Sequence, residues 1–467
     1  MIGYCSKNIE DSVDIYLDNL ERTFCQTTGC RLNLSMSIFS TLINTVIIIH
    51  APLGCGAANT SFMNRITKFQ KLKDKDADGP IWISTNLDEL DSINGGESKL
   101  EQTILYAENE FRPENIIILN SCVPALIGDD IEGIISQIQE GIEAKIILIH
   151  CEGFKPRKME KPFDAIYKGM LNNLPDNKSK INGENFKVNL LNTFQMSMAD
   201  ENELIRLLWG IDLKVNAFPC YSRPNDIEDI LDAALNISIT NADDYFVQYI
   251  EAEYGIPYVL KNMPKGIEGT NEWIRDIARF FGLEAKAENF IDRENRELLK
   301  ALKPFKGSLA GKTALLIGGS MRTFAMTELL DFLEIRILDI SGNKHSSFTP
   351  EAIEELINNE KNRIFDMMTA QSFEKANIIE RLKPDICIGG IGGMEHGIPS
   401  FSIFGQDQIS MGYLGVFEAA RKLNRIFKNT SFSKNIGKNS KSPYHIEWYE
   451  KNPFSYRDDF GKLSGST

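Results

Sequence analysis

Short runs of apolar residues alternate with amphipathic segments along most of this chain. The run Val46–Ile49 is entirely β-branched, which predicts a strand covered on both faces, as in a parallel sheet. A similar run at Ile116–Leu119 predicts a second strand, and apolar residues at helical spacing follow in Ile131–Ile142. Asp129 and Asp130 precede that helix, where negative charge complements the helix dipole. The alternation predicts an α/β fold with parallel sheets flanked by helices.

The pattern continues in three series of similar size without an obvious sequence repeat. We therefore predict three α/β domains, formed by residues 1–200, 201–305 and 306–467. The last domain includes a polar C-terminal tail from Lys428 that we do not assign to a helix. Other predicted elements are a peripheral helix at 8–22, a helix at 226–235, a strand at 237–240, two helices separated near Gly282, a strand from Lys312 and a helix at 411–427.

Two of the predicted strands lead into a cysteine. Gly54 allows a tight turn after the first strand that brings the chain to Cys55, and the second strand leads to Cys122. In open α/β sheets, ligands bind just beyond the carboxyl ends of strands. Cys30 is a third candidate, with Cys25 as its rival. Thiolates that end separate elements can converge on one iron–sulfur cluster, whereas the alternative for each cysteine is a buried structural role.

The composition disfavours some classes of binding partner and indicates the cellular compartment. The net charge is −14, with acidic residues spread along the chain, which disfavours a nucleic-acid partner. No apolar run reaches the roughly 18 to 20 residues that span a bilayer, and the first residues lack a signal-peptide pattern, so we expect a cytoplasmic protein that does not bind membranes. The 8 cysteines include no Cys-x-x-Cys pair, which argues against a local zinc site and favours ligands distant in sequence.

Two adjacent glycines, Gly318 and Gly319, follow the strand that begins at Lys312. They lack the full G-x-G-x-x-G spacing of a dinucleotide site, and the chain contains no P-loop motif. We therefore expect any ATP hydrolysis to occur on another protein. A backbone without side chains allows a bulky cofactor to approach, so Gly318 and Gly319 are candidate cofactor-binding residues.

Short glycine-containing segments, several of which carry a cysteine, follow one another in a set order along the chain. Their order and spacing resemble the nitrogenase component 1 family, and further turns at Tyr254-Gly-Ile-Pro257, Lys383-Pro-Asp385 and Gly397-Ile-Pro399 extend the resemblance over nearly the whole chain. The signature segments are Gly29-Cys30, His50-Ala-Pro-Leu-Gly-Cys55, Gly95-Gly-Glu-Ser-Lys-Leu100, Ser121-Cys-Val-Pro-Ala-Leu-Ile-Gly-Asp-Asp130 and Cys151-Glu-Gly-Phe154.

The resemblance implies a fold, a cofactor and partners. Each subunit of the family consists of three Rossmann-like domains, and a homologous partner subunit completes an α2β2-type heterotetramer. The cysteines that match the family's ligands are Cys30, Cys55 and Cys122, which would hold an iron–sulfur cluster, either P-cluster-like 8Fe-7S or 4Fe-4S. An ATP-hydrolysing iron protein would dock on the assembly and deliver low-potential electrons to this cluster.

The chain departs from the family where the catalytic subunit of nitrogenase anchors its active-site cofactor with one cysteine and one histidine. Here the corresponding segments contain Thr240 and Asn241, and Phe404 and Gln406, none of which is a good ligand for an iron–sulfur centre. We therefore expect an oxidoreductase subunit that does not reduce dinitrogen. Features of both the α-type and the β-type subunit are present, so the subunit type stays open.

Two alternatives remain beside an electron-transferring enzyme. The first is a scaffold for assembly of a nitrogenase-type cofactor, and the second is a structural partner subunit without a site of its own. A second iron–sulfur-based cofactor would lie near Gly318 and Gly319, with Cys220 or Cys387 as the thiolate to test. Buried structural roles are the alternative for these two cysteines and for Cys151.

Overall fold

The computed structural model describes residues 30–57, 79–152, 162–171, 174, 184–192, 197–239, 243–260, 263–317, 326–341, 364–366, 372–389, 392–402 and 409–451. The predicted helix at 8–22, Cys25, and the two glycines Gly318 and Gly319 lie outside these ranges, as do Thr240, Asn241, Phe404 and Gln406. The described residues belong to two compact units, Gly29–Asn262 and the part from Met263 onward. In the described ranges, no helix has both the length and the apolar character needed to cross a membrane.

The first sheet of the N-terminal unit carries the strands predicted before Cys55 and Cys122. Its strands are β1 (Thr45–His50), β2 (Ile81–Ser84), β3 (Asn115–Asn120) and β4 (Lys145–His150). They are parallel and lie in the order β2-β1-β3-β4. The associated helices are α1 (Arg31–Phe39), α2 (Leu53–Ala57), α3 (Asp91–Asn94), α4 (Glu97–Phe111), α5 (Cys122–Ile127), α6 (Ile131–Ile138), a 3-10 turn (Gln139–Gly141) and α7 (Pro162–Leu171).

Helices cover both faces of this sheet, which explains why β1 has no polar alternation. Side chains alternate across a strand, so Ile47 and Ile49 join one hydrophobic core while Val46 and Ile48 join the other. The first core includes residues of α1 and α7, and the second includes residues of α4 and α6. All 6 residues of β1 are buried, as the unbroken apolar run predicts.

The second sheet of the same unit is also parallel, with strands in the order β6-β5-β7-β8 once they are numbered along the chain. The Asn189 amide donates to Asn236 at 2.7 Å and accepts from Asn216 at 3.1 Å, so amides on three paired strands join across the sheet. The elements are β5 (Glu184–Asn192), α8 (Met198–Trp209), β6 (Lys214–Pro219), a 3-10 helix (Pro224–Asp232), β7 (Ala233–Ser238), α9 (Asp244–Tyr254) and β8 (Tyr258–Leu260).

The C-terminal unit contains a third parallel sheet, ordered β11-β10-β9-β12-β13 when its strands are numbered onward along the chain. Its elements are α10 (Glu268–Phe281), α11 (Glu284–Leu309), β9 (Thr313–Ile317), α12 (Met326–Phe332), β10 (Arg336–Ser341), β11 (Ile364–Asp366), α13 (Ser372–Leu382), β12 (Ile386–Ile388), a 3-10 turn (Met394–His396), β13 (Ser400–Phe401), α14 (Gly412–Lys428), α15 (Ser431–Asn439) and α16 (Ile446–Glu450). Three parallel sheets flanked by helices confirm the predicted α/β Rossmann-like fold. The domain boundaries at residues 200 and 305 stay a prediction.

Two local predictions are wrong. The segment predicted as one helix at 226–235 is instead a 3-10 helix, Pro224–Asp232, followed directly by β7, because Ala233–Ser238 pairs with β5 in the sheet. The tail after Lys428 contains α15 and α16, although its composition is polar. Tertiary contacts hold α16: the indole of Trp448 stacks edge-on against Phe373 and donates a hydrogen bond to the Phe373 carbonyl at 2.8 Å.

Candidate metal centre

Cys55 lies in the short helix α2, just beyond the carboxyl end of β1. Pro52, at the start of this turn, forms an isolated parallel bridge with Leu87, and the Cys55 backbone N–H donates to the Pro52 carbonyl at 3.0 Å. Cys55 is exposed, and a side chain at Gly54 would meet no described atom within 4 Å. The thiol is therefore presented on an open face of the described chain.

Cys122 is the first residue of α5, directly beyond the carboxyl end of β3. The backbone N–H of Ser121 donates to the His50 carbonyl at 3.2 Å, which ties this turn to the end of β1. Because β1 and β3 are neighbouring parallel strands, their carboxyl ends lie side by side at one edge of the sheet. Cys122 is half-buried and is carried to the same edge as Cys55.

Cys30 completes the predicted set from a different direction. It precedes α1 with an extended backbone and is exposed. Leu32, Met36 and Phe39 are buried in the core of the N-terminal unit and anchor the helix. Cys30 is thus an exposed thiol at the start of an element whose own position is set by packing.

The electrostatics of Cys55 indicate that these three thiols are neighbours. Partial burial raises the pKa of the Cys55 thiol, and the charges of Cys30 and Cys122 raise it further. No three ligating side chains in the described ranges surround a point where a single metal ion would fit. An iron–sulfur cluster makes a different demand, because its thiolates bind separate iron atoms around a larger group. Three neighbouring thiols, which are soft ligands, fit such a cluster.

The buried cysteines are suited to structural roles. Burial raises the pKa of Cys151 to about 12, and its thiol donates to the Ser35 hydroxyl at 3.3 Å, so it is protonated at neutral pH. Burial also raises the pKa of Cys387 to about 12. Cys387 is the middle residue of β12, and Cys220 is a buried residue directly after β6. Cys220 and Cys387 belong to different units of the chain.

A polar network beside the cysteine turns was not foreseen from the sequence. The prediction that Asp129 complements the dipole of α6 is wrong: Asp130 is the N-cap, accepting from the Gly133 N–H at 3.0 Å. Asp129 instead accepts from the Gly96 N–H and contacts the ring of His50 at 3.2 Å. In the sequence, a histidine directly after four buried apolar residues was the sign that β1 ends in a polar contact.

Cys55 and Cys122 lie beyond the carboxyl ends of neighbouring parallel strands, the position where open α/β sheets bind their ligands. The chain belongs to the nitrogenase component 1 family, since the family model "Nitrogenase component 1 type Oxidoreductase" matches residues 30–428.

The relatives include proteins with two different roles. The chain is 25% identical to the nitrogenase iron-molybdenum cofactor biosynthesis protein NifE of Methanococcus maripaludis, covering 89% of this chain and 87% of the relative. It is 22% identical to the nitrogenase molybdenum-iron protein alpha chain of the same species, over 85% of each chain. The solved structure "Nitrogenase Cp1 at pH 5" superimposes with a TM-score of 0.69 at 22% identity, covering 89% of this chain and 90% of that one, which supports the fold.

Proposed function

We propose that this protein is a subunit of a nitrogenase-like oxidoreductase that binds an iron–sulfur cluster through Cys30, Cys55 and Cys122. The observation that carries the proposal is that Cys55 and Cys122 lie beyond the carboxyl ends of the paired parallel strands β1 and β3, with the charge of Cys30 also acting on the Cys55 thiol. Such a cluster, when bound, supplies a redox centre that accepts and releases electrons. The role of the chain is to hold three thiolates on strand and helix ends that packing keeps in place. The candidate clusters are a P-cluster-like 8Fe-7S cluster and a 4Fe-4S cluster, for which these three cysteines would supply part of the thiolate ligands.

The proposal includes a homologous partner subunit in an α2β2-type assembly. Three thiolates leave a 4Fe-4S cluster one ligand short of its usual four, so a partner chain would complete it. The elements that carry two of the cysteines also expose apolar side chains: Leu53 in α2 is 59% exposed and Leu126 in α5 is 67% exposed. In α3, which packs against α5, Ile93 is 80% exposed. Exposed apolar side chains around a ligand set are suited to burial by another protein.

We propose an ATP-hydrolysing iron protein as the electron donor, in keeping with the family. The sequence contains no P-loop motif of its own, so the nucleotide would bind to the donor. Dinitrogen is not the proposed substrate, because Thr240, Asn241, Phe404 and Gln406 occupy the segments where the catalytic nitrogenase subunit has its cofactor ligands.

A scaffold for cofactor assembly is the second candidate function. The observation that favours it is the match to a cofactor biosynthesis protein over 89% of this chain. In this role Cys30, Cys55 and Cys122 would hold an iron–sulfur cluster together with the homologous partner subunit. A second iron–sulfur-based cofactor would bind near Gly318 and Gly319 during assembly. The burial of Cys220 and Cys387 favours structural roles for both in either case.

The first experiment tests the ligands. We expect protein purified without oxygen to contain iron and acid-labile sulfide, and each of the variants Cys30→Ala, Cys55→Ala and Cys122→Ala to lose most of both, because the ligands act together on one cluster. Cys387→Ala, which removes a buried thiol in the other unit, is the matched control and should keep its iron. Full iron content in the triple variant would refute the ligand assignment.

A second experiment separates the two functions. The cluster-loaded protein, with its partner subunit, is mixed with an iron protein, ATP and a reductant, and oxidation of its cluster is followed under turnover conditions by EPR. Repeated reduction and reoxidation with product formation would support the oxidoreductase. Loss of iron from this protein to a cofactor-free component 1 protein, without turnover, would support the scaffold. Formation of labelled ammonia from isotope-labelled dinitrogen would contradict the exclusion of dinitrogen reduction.

A further inference from the structure

Four segments around the cysteine turns meet at the side chain of His50, which is completely buried at the end of β1. Its Nδ1 lies 3.1 Å from the Thr85 hydroxyl, and its Nε2 lies 3.2 Å from Asp129 Oδ2. The Thr85 hydroxyl also accepts the Ala51 N–H at 3.2 Å. Both Asp129 oxygens lie 3.1 Å from the Gly96 N–H. The network therefore joins the ends of β1 and β2, the start of α4 and the residue after the C-cap of α5.

The direction of each hydrogen bond follows from the charge state of the ring. Burial lowers the pKa of His50, against the opposing effect of Asp129, so the ring is neutral at neutral pH and has one donor and one acceptor nitrogen. Asp129 only accepts, which places the proton on Nε2. Nδ1 then accepts from the Thr85 hydroxyl, whose oxygen accepts from Ala51. Every polar hydrogen in this chain of contacts has a partner, and a completely satisfied buried network holds its members in one arrangement.

Close packing around Gly96 limits the conformations that the network can adopt. A Cβ at Gly96 would lie 2.8 Å from Leu87 Cδ2, 2.9 Å from Asp129 Oδ2 and 3.0 Å from His50 Cε1. These distances leave no room for a side chain, so the network is pressed directly against the backbone of Gly96. A water molecule or an alternative rotamer cannot enter without moving one of these groups.

Both cysteine turns are connected to this network. Ala51, held by Thr85, leads into the turn that carries Cys55, and Asp129 follows the short helix that begins with Cys122. We propose that His50 and Asp129 are positioning residues that set the spacing between the thiols of Cys55 and Cys122. This inference rests on the proposed function, because it concerns the same thiols, but the spacing is a property of the chain without a cluster.

The test measures the spacing in cluster-free protein. In a background with Cys5, Cys25 and Cys30 changed to Ser, nitroxide labels are attached to Cys55 and Cys122, while the three buried cysteines Cys151, Cys220 and Cys387 are not expected to react. Dipolar broadening of the EPR spectrum then reports the distance between the labels. We expect Asp129→Ala and His50→Ala to reduce this broadening or to widen the distribution of distances between the labels. Asp129→Asn keeps the shape of the side chain and one acceptor oxygen. Its dipolar broadening should therefore be intermediate between that of Asp129→Ala and that of the parent.

The control is His396→Ala. His396 also pairs with a carboxylate, at 3.3 Å from Glu380, but it belongs to the C-terminal unit and shares no element with Cys55 or Cys122, so its loss should leave the broadening unchanged. Circular dichroism identifies the variants that fold. If His50→Ala does not fold, Asp129→Asn and Thr85→Val, both close to the parent in volume, provide the test. An unchanged EPR spectrum in folded Asp129→Ala, Asp129→Asn and Thr85→Val would overturn the inference.

A second measurement follows iron retention in protein with all its cysteines. We expect Asp129→Ala to release iron to a chelator about 10- to 100-fold more readily than the parent, the range typical when a group that orients metal ligands is lost. Absence of iron from the parent would refute the proposed function. The nitroxide measurement would then still test whether His50 and Asp129 set the spacing between Cys55 and Cys122. Equal retention by the parent and the folded Asp129→Ala variant would argue against the positioning role.

Discussion

Adding a single methyl group at Gly96 should destabilise the first sheet, because the new Cβ would lie 2.8 Å from Leu87 Cδ2 and 2.9 and 3.0 Å from atoms of Asp129 and His50. Gly96 has φ −94, which any residue adopts, so the cost is steric and does not come from backbone strain. Overpacking of this kind costs about 1–3 kcal/mol. Gly96 is also the N-cap of α4, a position where alanine is less favourable than glycine.

An opposing effect reduces this cost. Replacing glycine by alanine lowers the entropy of the unfolded chain and stabilises the folded state by about 0.4–1 kcal/mol. We therefore expect Gly96→Ala to lower the free energy of opening of the first sheet by about 1–2 kcal/mol. Because the chain has two compact units, a single global unfolding transition is not expected, and a local measurement is needed.

Hydrogen–deuterium exchange of peptides from β1 and β3 provides that measurement. A loss of 1–2 kcal/mol corresponds to exchange about 5- to 30-fold faster in these strands. Gly307→Ala is the matched control: a Cβ at Gly307, inside α11, would meet nothing within 4 Å, so the same substitution should stabilise that helix by about 0.8–1 kcal/mol. Unchanged or slower exchange of β1 in Gly96→Ala would refute the packing argument.

Two further predictions concern titration and thiol chemistry. Burial raises the pKa of Glu328 even though the backbone N–H groups of Glu268, Gly269 and Ile267 lower it. The Glu328 carboxyl therefore binds its proton more tightly in the folded state than in the unfolded state. The stabilisation that this proton gives the folded state is lost as pH rises from 4.5 through the raised pKa. Glu328→Gln cannot titrate at this position, so we expect the parent to lose stability relative to this variant over that range. Hydrogen–deuterium exchange of peptides from the C-terminal unit, compared between parent and variant at each pH, measures this, and a pH-independent difference would count against the assignment. The exposed Cys55 should be alkylated in folded, cluster-free protein, whereas the Cys151 thiol, with its pKa of about 12, should react only after unfolding. Mass spectrometry of alkylated peptides checks this, and equal labelling of both cysteines would contradict the structure.

The sequence by itself determined the class of fold and the candidate ligands, because both depend on local patterns. Four β-branched residues at Val46–Ile49 are compatible with little except a strand buried on both faces, and the structure has that strand. Cysteines placed shortly after such strands lie near the carboxyl edge of the sheet, which is why Cys55 and Cys122 were identifiable. The pattern was less informative at 226–235, where sheet pairing of Ala233–Ser238 overrode a helical spacing.

Only the tertiary structure decided how the site is supported. Asp129 and Asp130 cannot be distinguished from the sequence, since either suits a helix N-terminus. In the structure Asp130 caps helix α6, whereas Asp129 contacts His50. The partners that hold His50 come from positions 85 and 129, far apart along the chain, and no local pattern specifies which distant groups will meet. The proximity of Cys30 to Cys55 likewise depends on how α1 packs into the core. Local propensities select elements, whereas the contacts between them are set by close packing and by the requirement that buried polar groups find partners.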